Sequence, residues 1–264
     1  MKKKIIVVAD DFGFSEAFNY GVIKSYKEGI VSSLNLIVNL PAAQHAVQLV
    51  REQCPNAELA LHINYVQGKP ISAPADIPTL VNENGEFYRS RYWHDEVHSN
   101  KCIGDLNPSV EDLYRECIAQ IEYFKELTGR YPVTFDAHSV ATNNVSEAFQ
   151  RAAQDKHIHC PFYSNGQNEV HEHHFIDKNG ENILMRGSRP EDWINDTSGL
   201  LDSPYLVNVL HFHPGYIDKF ILDNSSLTVP RCYDLDTLCN PVLRSWLKEH
   251  DIEVITFNEA LNAD

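Results

Sequence analysis

The residues of this chain best suited to chemistry are acids and imidazoles that stand where apolar runs end. Four separate runs, IIVVAD, ELALH, VTFDAH and YLVNVLHFH, finish in such residues. They are Asp10, Asp11, His62, Asp136, His138, His211 and His213. Each one alone has a structural explanation, such as a turn, a helix cap or a surface histidine. Together they suit a divalent metal, because one carboxylate and two imidazoles leave positions open for water and substrate.

These residues need strands to position them, and the apolar runs predict strands that alternate with helices. The predicted strands are 5–9, 33–38, 58–63, 133–138, 205–213 and 252–257, with a weaker one around HIHC at 157–160. The predicted helices are 15–28, a segment from Pro41 through Val50, 108–129, 145–156 and 235–249. Ser109 and Asp112 resemble a capping box, and Gly29 and Gly129 are helix stops. Parallel α/β sheets carry their chemistry at the carboxyl ends of the strands, so this alternation predicts one common site.

The alternation runs along the whole chain without a repeat or a shift in composition, which predicts a single α/β domain over residues 1–264. A long polar insertion is expected at about 65–107. The first strand is not followed by G-x-G-x-x-G, so a dinucleotide site is not indicated. A closed or partly closed barrel fits the number of strands better than an open sheet.

Composition restricts the partners of the chain. Its 264 residues carry a formal net charge of −15 with a pI near 5.2, which argues against nucleic acid and anionic membranes as partners. No run approaches the ~18 apolar residues of a membrane span, and a signal peptide is not indicated. We therefore expect a cytoplasmic protein. The six scattered cysteines are expected to be reduced thiols.

Other histidines compete for the role of metal ligand. His171, His173 and His174 lie in VHEHH, a polar stretch without a predicted strand to fix them, so we interpret them as a solvated loop. His157 and His159 in HIHC remain candidate pocket residues.

At this point the motifs resemble a known family. ADDFG near the N-terminus, LHINYVQGKPIS, DAH after an apolar strand and HPGYID are similar to the YdjC-like carbohydrate deacetylases. The chitooligosaccharide deacetylases of chitobiose-utilisation systems are the most similar members. The segments NYGVIKSYKEGIVSSLNLIVN, AAQHAVQL and SSLTVPRCYDLDTL also resemble the family, so the resemblance extends beyond the motifs.

The resemblance implies a distorted (β/α) barrel of the sugar or polysaccharide deacetylase type that hydrolyses an N-acetyl group on an amino sugar. A chitooligosaccharide such as diacetylchitobiose, with or without a 6-phosphate, is the implied substrate, and acetate is released. The implied cofactor is a divalent metal, Mg²⁺ above all, although mixed N/O ligands also suit Zn²⁺ or another transition metal. The family is often dimeric, which implies a homodimer.

The resemblance also implies roles for individual residues. The metal ligands are Asp11, His62 and His138. Asp10 is the implied catalytic base, and His213 of HPG is the candidate acid. The substrate contacts are Arg231, Asp136 and His211. Two of these have alternatives: Asp136 could instead orient a metal ligand, and Arg231 could be a surface arginine near a helix start.

One segment departs from the family pattern. The family reads D-S-H-x-H-V-H where this chain reads DAHSVAT, so Val140 and Thr142 stand in place of two histidines. Two other functions remain open for this ligand set. One is a different metal hydrolase such as a phosphoesterase, and the other is a sugar-binding or regulatory homologue with weak turnover.

Overall fold

The computed structural model describes residues 2–90, 92, 108–160 and 170–261, and the structural statements below concern these residues. Strands and helices alternate along the chain. The strands are β1 (Lys3–Phe12), β2 (Ser33–Leu36), β3 (Glu58–Asn64), β4 (Phe135–His138), β5 (His171–Glu172), β6 (Val207–Phe212) and β7 (Ile252–Val254). The helices are α1 (Glu16–Glu28), α2 (Ala43–Gln53), α3 (Val110–Thr128), α4 (Asn143–Lys156), α5 (Pro190–Ile194), α6 (Lys219–Asn224), α7 (Val229–Leu238), α8 (Pro241–Glu249) and α9 (Phe257–Leu261).

The strands belong to a seven-stranded sheet in the order β4-β3-β2-β1-β6-β5, with β7 also paired to β1. The pairs β1–β2, β1–β6, β1–β7, β3–β4 and β5–β6 are all parallel. Parallel strands bring their carboxyl ends to the same edge of a sheet, as the predicted common site requires. The α/β class that the sequence predicted is confirmed.

The chain folds into two compact units. The first unit contains residues 1–36, 41–60 and 167–264, and β1 is its centre. Ile5, Ile6, Val7, Val8 and Ala9 have no exposed surface, as expected of a parallel strand covered on both faces. The continuous apolar run IIVVA was therefore a reliable strand signal.

The second unit contains residues 37–40 and 61–166. The longest of its described elements, α3, begins after Ser109, whose hydroxyl accepts a hydrogen bond from the Asp112 backbone N–H at 3.0 Å. It ends at Gly129, which has the left-handed φ of +83° that glycine adopts without strain. Local capping signals were thus sufficient to predict this helix from sequence.

Three predictions about secondary structure are wrong. Residues 158–160 carry no strand, because His157 takes a left-handed φ of 53° and closes α4 as its C-cap. VHEHH is not a loop throughout, since His171 and Glu172 form β5 beside β6. The single late helix is two helices, α7 and α8, because Pro241 cannot continue the first and instead starts the second.

Three further predictions are settled in part. The helix expected to begin at Pro41 begins at Ala43. Part of the insertion at 65–107 lies outside the described residues, namely 91 and 93–107; the rest has a 3₁₀ turn at Pro74–Asp76. Five of the cysteines are free thiols, as predicted, and Cys102 lies outside the described residues. The single domain over residues 1–264 stays a prediction.

Candidate active site

The two adjacent aspartates lie on a bulge in β1. The pairing of β1 with β2 shifts between Ala9 and Phe12, and Asp11 has a φ of 61°, a conformation that non-glycine residues seldom adopt. A bulge re-aims side chains at the end of a strand, so neighbouring residues need not alternate across the sheet. Asp10 and Asp11 are 4% and 1% exposed, which makes both carboxylates expensive to bury without partners.

Asp10 has two polar neighbours in the first unit. Its Oδ1 accepts a hydrogen bond from Nδ2 of Asn35 on β2 at 2.8 Å. Its Oδ2 lies 3.1 Å from Nδ1 of His211 on β6. The strands on either side of β1 therefore hold this carboxylate in place, and His211 is brought to it as a neighbour.

Asp11 is paired with Arg231, whose Nη2 lies 2.8 Å from its Oδ2. Arg231 lies in the first turn of α7 but is 2% exposed, so the alternative of a surface arginine is wrong. Its Nε donates to the Leu227 carbonyl at 2.7 Å, and its guanidinium lies over the rings of Phe18 and Phe14 at 4.8 and 5.3 Å. This fixed guanidinium supplies the charge that a buried carboxylate needs. Substrate binding by Arg231 stays a prediction.

His213 follows β6 and is held through its backbone. Its N–H donates to Oδ2 of Asp234 at 3.2 Å, and Oδ1 of Asp234 accepts from both N–H and Oγ of Ser188 at 2.8 Å. Desolvation lowers the pKa of the His213 imidazole; of the neighbouring charges, Asp11 raises that pKa and Arg231 lowers it. Among the described residues its buried Nδ1 has no hydrogen-bond partner.

The HPG motif is explained by close packing. A Cβ on Gly215 would lie 1.8 Å from Cδ2 of Phe18, and a Cβ on Gly21 would lie 2.5 Å from the Gly215 Cα. Both glycines are needed because α1 packs directly on the loop that carries His213. The glycine of the motif therefore positions the histidine rather than contributing chemistry.

The second unit holds the imidazoles. In the β3–β4 register His62 lies opposite Asp136, and its Nδ1 is 2.6 Å from Oδ1 of that carboxylate. His138 is two residues further along β4, on the same face, and its ring meets the His62 ring edge-on at 5.1 Å. Asp136 thus holds the His62 imidazole in place, and its proposed roles toward a metal ligand or a sugar stay predictions.

Aspartates and histidines are the candidate metal ligands of the chain. They are Asp10 and Asp11 of the first unit and His62, Asp136 and His138 of the second. Carboxylate and imidazole ligands together suit a divalent cation. The two positions that depart from the family pattern have structural roles: Val140 is buried, and Thr142 caps α4 by accepting from the Val145 N–H.

Sequence reasoning missed Asn35, Ser188 and Asp234. An amide inside the apolar run SLNL was a usable signal, because a strand buried on both faces seldom carries one without a partner. Ser188 and Asp234 gave no such signal, since their partners are distant in sequence.

Comparison with known proteins identifies the family. A model of the YdjC-like protein family matches residues 4–249. The chain belongs to the YdjC-like family. Among its YdjC-like relatives, carbohydrate deacetylase 2 of Listeria innocua serovar 6a is 32% identical over 259 residues, which cover 97% of this chain and 98% of the relative. A chitooligosaccharide deacetylase of Serratia marcescens is 41% identical over 138 residues, 52% of this chain and 50% of the relative.

Solved structures show the fold of this YdjC-like chain. A crystal structure from Enterococcus faecalis V583, provisionally named a cellobiose-phosphate cleavage protein, has a TM-score of 0.80 at 22% identity. The match covers 98% of this chain and 99% of that protein. A peptidoglycan N-acetylglucosamine deacetylase has a TM-score of 0.51 at 13% identity, and the match covers 98% of this chain and 88% of the deacetylase. The likeness to the Enterococcus faecalis structure supports the predicted fold, in which parallel strands alternate with helices. None of the described helices is long and apolar enough to cross a membrane.

Proposed function

We propose that this chain is a metal-dependent carbohydrate deacetylase that removes the N-acetyl group of a chitooligosaccharide such as N,N′-diacetylchitobiose and releases acetate. Membership of the YdjC-like family supports the reaction class. The names of the relatives from Listeria and Serratia support a carbohydrate substrate, and the second supports a chitooligosaccharide.

The observation that carries the proposal is the short contact between His62 and Asp136, 2.6 Å from Nδ1 to Oδ1. A carboxylate acceptor places the ring proton on Nδ1, so that Nε2 carries the lone pair that a metal ligand needs. Carboxylates that orient imidazoles in this way are typical of metal sites. The ligands proposed are Asp11, His62 and His138, with Mg²⁺ favoured by the resemblance and Zn²⁺ as an alternative.

A divalent cation supplies Lewis acidity when bound, which lowers the pKa of water and polarises a carbonyl. In the proposed reaction Asp10 takes a proton from the attacking water, and Asn35 and His211 hold its carboxylate for that task. The water oxygen bonds to the acetyl carbon, and the bond from that carbon to nitrogen breaks. His213 gives a proton to the departing amine, which is otherwise a poor leaving group. Arg231 supplies the positive charge beside the buried Asp11 carboxylate.

The experiment measures acetate released from N,N′-diacetylchitobiose and from its 6-phosphate. Protein stripped with EDTA is compared with the same protein after Mg²⁺, Mn²⁺ or Zn²⁺ is returned, and p-nitrophenyl phosphate is offered as the competing substrate. We expect acetate release from at least one of the two sugars. Acetate release should be lost when the metal is stripped and should recover when a metal is returned. Hydrolysis of the phosphoester without acetate release would make the protein a phosphoesterase, and binding without turnover would make it a sugar-binding homologue.

A further inference from the structure

The chain leaves β3 through a tight turn, Asn64–Lys69, that is fixed by side-chain amides. Asn64 is fully buried, and its Oδ1 accepts from the N–H groups of Val66 and Gln67 at 2.9 and 3.1 Å. Its Nδ2 donates to the Gln67 carbonyl at 2.9 Å. The turn begins two residues after His62, at the carboxyl end of a parallel strand, where α/β proteins bind their ligands.

A second amide and a glycine complete the turn. Nδ2 of Asn39 donates to the carbonyls of Gln67 and Lys69, at 2.9 Å each. Gly68 has a φ of +74°, and a Cβ there would lie 3.0 Å from Cδ2 of Leu40. These contacts hold the backbone of Gln67, from which its side chain leaves the turn.

The side-chain amide nitrogen of Gln67 differs in its hydrogen bonding from the three other amide nitrogens around this turn. The amide nitrogens of Asn39, Asn64 and Gln120 each donate two hydrogen bonds. Gln67 is 6% exposed, and its buried Nε2 has no hydrogen-bond partner among the described residues. A buried donor without an acceptor destabilises the folded protein, so its retention needs a reason such as a ligand or an ordered water.

We propose that Nε2 of Gln67 donates a hydrogen bond to an acceptor oxygen of the carbohydrate substrate and helps to determine which sugar is bound. This inference rests on the proposed function. Sugars offer hydroxyl and acetamido oxygens, and a few precisely placed polar groups usually set the specificity of a pocket. A site built to hydrogen-bond a substrate oxygen discriminates strongly, because the buried donor is unpaired when that oxygen is absent.

The test compares Gln67→Leu, which removes the amide at similar volume, with Gln67→Glu, which replaces the donor by an acceptor. Gln48→Leu is the matched control, because Gln48 is exposed on α2. Steady-state deacetylation and calorimetric binding of N,N′-diacetylchitobiose are measured, together with urea unfolding. We expect both Gln67 variants to raise KM and Kd about three- to tenfold with kcat nearly unchanged, as the loss of one neutral hydrogen bond predicts. Gln67→Leu should unfold at the same urea concentration as the wild type or higher.

Unchanged KM and Kd in Gln67→Leu would overturn the proposal and leave an ordered water as the partner of Nε2. Full binding by Gln67→Glu would also overturn it, since a carboxylate cannot donate. If the wild type releases acetate and only the Gln67 assignment fails, the proposed function stands. If the wild type neither binds nor deacetylates the sugar, both proposals fail together.

Discussion

Asp10 and Asp11 are neighbours in sequence, yet they have different partners in the first unit. Asp10 contacts an amide and an imidazole, whereas Asp11 contacts a buried guanidinium. The bulge and the left-handed φ of Asp11 allow the two carboxylates to separate. This difference in partners supports a division of labour between base and metal ligand.

The first prediction separates these two roles. Asp10→Asn should keep metal binding and the fold, because an amide oxygen still accepts from Asn35, but should lower kcat for deacetylation by about 10²–10⁴-fold. His62→Ala should instead lose the metal. Metal content after gel filtration and acetate release together measure both effects. Normal turnover by Asp10→Asn would show that another group is the base.

The second prediction concerns the ion pair of Asp11 and Arg231. Arg231→Met leaves a buried carboxylate without its cation and should cost about 3–5 kcal/mol of unfolding free energy. Arg115→Met, which removes one partner of an exposed pair with Glu111, should cost about 0–1 kcal/mol. Urea unfolding measures both. Adding Asp11→Asn to Arg231→Met should recover part of the loss; no recovery would mean that packing of the arginine, not its charge, matters.

At the scale of secondary-structure elements, caps decide where the helices of the second unit begin and end. Thr142 replaces a histidine of the family pattern and accepts from the Val145 N–H at 3.2 Å. This hydroxyl satisfies one of the N–H groups that a helix start leaves without a partner. The departure from the family pattern therefore strengthens the start of α4.

The third prediction tests this cap. Thr142→Ala should lower the unfolding free energy by about 1 kcal/mol, because the N–H loses its acceptor. Thr142→Ser keeps the hydroxyl and should stay close to the wild type. The comparison is made by urea denaturation, and equal stability of the alanine and threonine proteins would contradict the role of the hydroxyl.

The fourth prediction concerns pH and helix α3. Burial raises the pKa of Glu116, although its carboxylate accepts from the N–H groups of Ile71 and Ser72. The folded state thus holds this proton at pH values where the unfolded chain has released it. Stability should therefore fall as the pH rises from about 4.5 through the raised pKa of the folded state.

Glu116→Gln removes this titration, so its stability should change less with pH than that of the wild type over that window. Glu126→Gln, on the exposed side of the same helix, is the control and should follow the wild type. Urea midpoints at several pH values between about 4 and 8 measure the effect. Parallel wild-type and Glu116→Gln curves would contradict it.

At the scale of the whole molecule, the proposed metal should couple to stability. A ligand that binds only the folded state stabilises it by about 2.7 kcal/mol at 100 times its Kd. We expect Mg²⁺, Mn²⁺ or Zn²⁺ to raise the Tm of the stripped wild type and to leave that of His62→Ala unchanged. An equal shift in both proteins would mean that the cation binds elsewhere. The cytoplasmic location and the homodimer remain predictions at this scale, and light scattering tests the second.

The sequence by itself determined the features that depend on local physics. Three features could be predicted without knowledge of the tertiary structure. They are the continuous apolar run of β1, the serine and glycine at the two ends of α3, and the polar residues at the ends of strands. Local signals were misleading at 157–160, where the sequence pattern suggested a strand but His157 is the C-cap of the preceding helix. They were also insufficient in VHEHH, where β5 depends on pairing with β6.

Only the tertiary structure decided which polar groups became partners. Arg231 could not be assigned to Asp11, nor Asn35 to Asp10, nor Asp234 to the His213 backbone, because each pair joins segments that are distant along the chain. A local pattern predicts that a residue lies at a strand end or is buried. The acceptor or charge that compensates its burial is chosen by the packing of strands and helices, since a buried polar group is stable only where the fold brings it a partner.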